Sequence, residues 1–229
     1  MTGKGKFIVL EGLDGSGKTV QFQLLQQKLA ALDIPFTTAD FPTYNTFYGK
    51  MVGSYLNKEY GDVYEVSPYL SSLLYAENRK ESAPILWKAL EDGYIILANR
   101  YVGANLAYHS VKLPPEQRPA FIEWVKELEY NQLVPIPREN LVIYFNSEVN
   151  VAQRMVDQKG VRGYTDYQRD IHERNADYLS EVAKTYLYLC QTEPNWLKLD
   201  VIDPTTSQMF PPEVIHEQVM TILRQHQIL

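Results

Sequence analysis

The stretch KFIVLEGLDGSGKT, residues 6–19, decides the architecture. Residues 6–11 (KFIVLE) are largely apolar, as in a strand buried on both faces. Gly12-Leu13-Asp14-Gly15-Ser16-Gly17-Lys18-Thr19 then fits G-x-x-x-x-G-K-S/T, with a strand before it and a helix opening at Lys18. Glycines let the backbone curl so that several N–H groups point at one oxyanion, and the helix N-terminus adds partial positive charge. Gly12 to Thr19 therefore read as the cradle of a nucleoside triphosphate. In this cradle Lys18 neutralises the β- and γ-phosphates and the Thr19 hydroxyl is the expected ligand of a Mg²⁺ ion.

Working outward, residues 18–32 carry Phe22, Leu25, Leu29 and Leu32 at helical spacing. Further strands are expected at 35–39, 94–98 (YIILA), 141–145 (LVIYF) and 196–201. Helices are expected at 46–56, 67–82 (opened by Ser67-Pro68), 83–91, 119–130, 149–156, 168–190 and 212–226. Residues 157–167 hold two glycines and several charges without apolar periodicity, and read as a short mobile lid. Strands alternating with helices predict a three-layer α/β fold: a five-stranded parallel sheet with helices on both faces, one domain over 1–229.

Composition narrows the partners. A formal net charge of −6 over 229 residues leaves no broad basic face, so no nucleic-acid partner is expected. No apolar stretch approaches the ~20 residues of a spanning helix, so no membrane is expected either. Residues 1–6 lack an apolar signal region, and Cys190 stands alone, which suits a reducing cytoplasm. His109, His172, His216 and His226 show no metal-ligand spacing, with each other or with Cys190.

Four segments in order, LEGLDGSGKT (10–19), DFPTYNT (40–46), LLYAENR (73–79) and NRYVGANLAY (99–108), make the chain resemble the thymidylate kinase family along nearly its whole length. The resemblance implies a cytoplasmic P-loop transferase, usually homodimeric. It would move the γ-phosphoryl of ATP to dTMP with Mg²⁺, giving dTDP and ADP. It also implies roles. Tyr75 would stack on the thymine ring and Arg79 bond its exocyclic oxygen. Phe41-Pro42 and Leu56 would wall the methyl group, Arg100 hold the acceptor phosphate, and Asn105 meet the base edge. Tyr108 would crowd the sugar 2′ position. Asp14 would lie near the acceptor sugar and the metal. Because Gly15 stands where some relatives carry arginine, the catalytic cation would come from the lid, as Lys159 or Arg162, with Arg154 in support. A further kinship feature, the segment at 200–206, would lie over the donor adenine.

Two departures from the family pattern stand out. No arginine occupies the neighbourhood of Tyr44, and Asn99 replaces the aspartate that usually precedes the arginine. Asn99 implies weaker Mg²⁺ use or a lower rate unless Asp14 compensates, with Asn99→Asp raising activity. It also keeps open a catalytically impaired nucleotide-binding homologue, while a reshaped base pocket at Tyr75, Arg79 and Asn105 would suit a kinase for another deoxynucleoside monophosphate.

Overall fold

The structure, a computed structural model, describes residues 5–132, 135–157 and 175–229. Five parallel strands make the central sheet: β1 (Lys6–Gly12), β2 (Phe36–Asp40), β3 (Ile95–Asn99), β4 (Leu141–Asn146) and β5 (Trp196–Asp200), in the order β2-β3-β1-β4-β5. Alternate residues of β1 serve opposite faces: Phe7 and Val9 join one apolar cluster, Ile8 and Leu10 the other. A sheet buried on both sides needs that double use of every strand.

One face is covered by α1 (Lys18–Ala31) and α9 (Pro212–Gln225), through Leu25, Leu29, Ile215 and Val219. The other carries α5 (Val102–Ser110), α6 (Arg118–Glu127) and α8 (Ala176–Thr192); α2 (Phe47–Leu56) and α3 (Pro68–Lys80) pack outside α5. Among the described residues the remaining α-helices are α4 (Ala83–Glu91) and α7 (Val149–Asp157).

The sequence boundaries hold to within a few residues, with informative exceptions. Leu32 is exposed; α1 buries Lys18, Gln21, Leu25 and Leu29 instead. Gln21 binds the Pro212 carbonyl (2.8 Å), so one polar side chain ties α1 to α9. Within the described residues α8 starts at Ala176, where the Asn175 side chain accepts the Tyr178 N–H at 3.0 Å and caps it; the part of that helix expected over 168–174 lies outside the described residues. The helix expected to reach 130 ends at Glu127 and passes into a π-helical turn, Leu128–Gln132. A small antiparallel hairpin, β6 (Ile202–Asp203) with β7 (Gln208–Met209), was not anticipated.

Glu139, just before β4, accepts a hydrogen bond from the Tyr130 hydroxyl at 2.7 Å. Burial pushes its carboxyl up from 4.5 to about 7 against that bond. Because folding favours the protonated form, this stabilisation is complete below about pH 4.5 and is lost as the pH rises through 7. Glu139→Gln, neutral throughout, is expected to remove on the order of 1–3 kcal/mol of that pH dependence. Urea unfolding of both proteins at about pH 5 and about pH 8 checks it; parallel curves would refute the assignment.

Candidate active site

The strand-to-helix turn of β1 and α1 is built as the motif requires. Gly15 has φ 86, and a Cβ there would lie 2.0 Å from the Ala152 carbonyl oxygen of α7, so only glycine fits. No side chain caps α1, so its first N–H groups stay available to an anion. Lys18 is buried and its Nζ donates to the Gly12 and Leu13 carbonyls at 2.9 and 2.7 Å. A Cβ on Gly17 would sit 3.5 Å from the Met209 sulfur, which places the β6–β7 hairpin against this loop.

Arg100 follows β3 at the carboxyl edge of the sheet, where open α/β folds place ligands. Its φ of 62 is a left-handed conformation rare for a side-chain-bearing residue. Glu11 enforces it. The buried Glu11 carboxylate accepts the Tyr101 and Ala104 N–H groups at 2.8 and 3.0 Å and the Tyr186 hydroxyl at 2.8 Å. The Arg100 N–H meanwhile donates to the Leu10 carbonyl at 2.9 Å. The guanidinium consequently faces the phosphate loop: it donates to Asp14 Oδ2 at 2.9 Å, and lies 5.1 Å from the Tyr108 ring centre. Burial opposes the Arg100 charge, but Asp14 and the surrounding acidic and phenolic groups hold its pKa well above the ordinary value.

A cavity of about 480 Å³ opens beside this pair. Its phosphate end holds Asp14, Thr19, Asp40, Asn99 and Arg100. Its inner end holds Phe41, Pro42, Leu56, Tyr75, Asn105, Tyr108 and His109. All the sequence-derived acceptor residues thus share one chamber, except Arg79. Arg79 is buried outside the lining: it forms a two-point ion pair with Glu129 at 2.6 and 2.5 Å and donates to the Tyr101 carbonyl at 3.3 Å. A buried guanidinium needs a charged partner, and Glu129 supplies one away from the cavity. Lys159 and Arg162 lie outside the described residues. Arg154 is exposed on α7.

Several residues escaped the sequence reading. Asn78, on α3, clamps the 43–46 loop: it accepts the Thr43 N–H at 2.9 Å and donates to Thr46 Oγ1 at 3.0 Å. That holds Thr43, Tyr44 and Asn45 at the cavity wall. His109 lies one helical turn beyond Asn105 on α5, a spacing the sequence did display; its Nδ1 is 3.1 Å from Ser71 Oγ. Asp40 opens the 40–46 segment but carries no role in the sequence reading. The β2–β3 register puts it directly beside Asn99, whose Nδ2 donates to Asp40 Oδ1 at 2.9 Å. Burial raises the Asp40 carboxyl against the Asn99 hydrogen bond and the charges of Arg100 and Lys18, so both cations act on one acid.

The family model for thymidylate kinase matches residues 10–209. The chain belongs to the thymidylate kinase family. It is 29% identical over 182 residues to the thymidylate kinase of Danio rerio, covering 79% of each chain. It is 25% identical over 219 residues to that of Homo sapiens, covering 96% of this chain and 90% of the relative. The solved thymidylate kinase of Candida albicans has the same fold, with a TM-score of 0.76 at 21% identity, over 98% of this chain and 93% of the other. Family membership makes this an ATP-dependent phosphotransferase.

The Asp40–Asn99 contact reverses the expectation for Asn99→Asp. A second carboxylate at 2.9 Å would repel Asp40 and draw protons into the phosphate end of the cavity. Asn99→Asp is expected to lower turnover, read by ADP release near neutral pH, by about tenfold. The exchange Asp40→Asn with Asn99→Asp restores one charge and most of the rate. A faster single variant would show that the contact does not govern the site.

Proposed function

We propose that this chain transfers the γ-phosphoryl of ATP to dTMP, with Arg100 as the clamp on the acceptor phosphate. One observation carries the reading: the Arg100 guanidinium meets Asp14 of the phosphate loop at 2.9 Å, on the wall of a chamber large enough for a mononucleotide. The loop N–H groups and Lys18 hold the donor phosphates. The fork of Arg100 suits an acceptor phosphate, which it can grip at two oxygens. An oxygen of that phosphate attacks the γ-phosphorus, the bond to the β–γ bridging oxygen breaks, and ADP leaves with the electron pair. The acceptor is already anionic, so no strong base is required. The protein's work is alignment and charge compensation.

Tyr75 supplies an aromatic face for the base, while Phe41, Pro42 and Leu56 give apolar walls for a methyl group. Such walls discriminate a methyl by only ~1–3 kcal/mol. Tyr108 flanks the sugar and braces Arg100, its hydroxyl accepting from the guanidinium at 3.3 Å. The oxygen-rich phosphate end, with the exposed Thr19 hydroxyl and the Asp14 and Asp40 carboxylates, fits a hard cation such as Mg²⁺. When bound, that ion would neutralise charge on the donor phosphates.

We also infer a homodimer: α3 exposes Tyr69, Leu70 and Leu73, and the adjacent Trp124 of α6 packs on Tyr69 with ring centres 4.9 Å apart. Light scattering is expected to give twice the chain mass, and Leu70→Glu to give the monomer.

An acceptor panel of dTMP, dUMP, dCMP, dGMP and thymidine with ATP and Mg²⁺ tests the activity. The expected result is highest kcat/KM for dTMP, loss of at least ~100-fold turnover in Lys18→Ala, and a KM for dTMP raised ~10-fold or more in Arg100→Lys. Equal turnover of Lys18→Ala and the unaltered protein would exclude this site as the seat of transfer.

A further inference from the structure

A second cavity, of about 240 Å³, shares no lining residue with the first. It opens between α5, the π-helical turn after α6, the approach to β4 and the start of β5, with Gly103, Tyr130, Arg138, Glu139 and Trp196 on its walls. Two donors on those walls lack a protein acceptor among the described residues. The Arg138 guanidinium lies 4.1 Å from the Tyr130 ring centre and joins no ion pair there. The Trp196 indole nitrogen makes no hydrogen bond, and it is not sealed off from solvent. Aromatic faces beside unmatched donors suit a flat ligand that brings acceptors. The acids of the lining do not oppose such a ligand at mildly acid pH. Glu193 is paired with Lys126. Glu139 has Tyr130, Glu129 and Glu11 about it besides the two cations of the lining, and burial keeps its carboxyl protonated up to about pH 7.

Gly103 stands where this cavity comes nearest to the active site. A Cβ there would fall 2.4 Å from the Trp196 ring and 2.9 Å from Glu11 Oε1, so the indole and the carboxylate both close on this one glycine. Glu11 in turn holds the Tyr101 and Ala104 N–H groups that fix the turn of Arg100. We propose that the second cavity binds a small planar aromatic carboxylate, with Arg138 on its carboxylate and Trp196 along its ring, and that the occupant alters the grip of Arg100 through Trp196, Gly103 and Glu11. A ring entering beside Trp196 finds no slack behind it. The indole can yield only against Gly103, and Glu11 lies on the other side of that glycine. Packed groups transmit such a displacement because they have no void to absorb it. The left-handed backbone of Arg100 depends on both of the N–H groups that Glu11 holds, so it is the point where a small shift is felt.

Binding in this cavity does not depend on the dTMP reading, and its effect on the acceptor is measured apart from it. In ¹⁵N-labelled protein at about pH 6, benzoate is expected to shift the Trp196 indole signal with a Kd on the order of 1 mM. Trp87→Phe and Trp124→Phe, both at exposed positions, assign that signal among the three tryptophans. Neutral benzamide, of the same shape, is expected to bind about tenfold more weakly, as is benzoate to Arg138→Gln, a change at an exposed residue. Raising the pH to about 8 ionises Glu139 and is expected to weaken benzoate severalfold. An unmoved Trp196 signal, equal binding of benzamide, or undiminished binding to Arg138→Gln overturns the site. In the transfer assay, saturating benzoate is expected to raise the KM for dTMP about fivefold in the unaltered protein and to leave that of Arg138→Gln unchanged. An unchanged KM in the unaltered protein, or a rise that persists in Arg138→Gln as competition at the phosphate site would give, overturns the coupling. A protein that never phosphorylates dTMP refutes the dTMP reading alone. The coupling is then decided by the Arg100 Nε–H signal, which is expected to move with that of Trp196 and whose constancy overturns it.

Discussion

The carboxylate of Glu11 is the contact around which the chemistry is arranged. It stands at the carboxyl end of the central strand β1 and takes two backbone N–H groups and one phenol. The two N–H groups belong to the first turn of α5, so one buried charge both caps that helix and fixes the turn that carries Arg100. The packing leaves little slack. A Cβ on Gly103 would fall 2.4 Å from the Trp196 ring and 2.9 Å from Glu11 Oε1. The left-handed backbone of Arg100 persists because its neighbours on both sides are held in this way.

From that anchor the charges fall into an alternating order across the carboxyl edge of the sheet. Lys18 and Arg100 are the cations, and Asp14 and Asp40 are the acids that influence them. Asp14 lies on the phosphate loop and Arg100 across from it, so the ion pair joins the two anion-binding halves. Asn99 lets Asp40 sit next to it without a second negative charge. A carboxylate at the end of β2, in place of one at the end of β3, keeps acid at the same edge of the cavity.

The inner half of the cavity is organised by different means. Apolar walls come from the loop after β2 and from α2, and that loop is held in place by Asn78 of α3. The Asn105 side chain of α5 is held by Glu129, an acid in the π-helical turn after α6.

The sequence alone determined the parallel α/β architecture, because continuous apolar strands separated by amphipathic helices admit few other arrangements. It determined the phosphate loop too, since glycine spacing, lysine and flanking elements are all local. It also marked Arg100, Tyr75, Asn105 and Tyr108, whose turn or helical spacing is written within a short stretch. Tertiary structure alone decided what those side chains face. Arg79 was legible as a helix neighbour of Tyr75, yet its partner is fifty residues away and draws it out of the cavity. Asp40 and Asn99 are fifty-nine residues apart and meet only through strand register. Glu129 gave no local signal, because a buried acid is identified by the donors that surround it. Hydrogen-bond partners of buried charges are long-range by nature: the chain writes down each group, and packing chooses which ones meet.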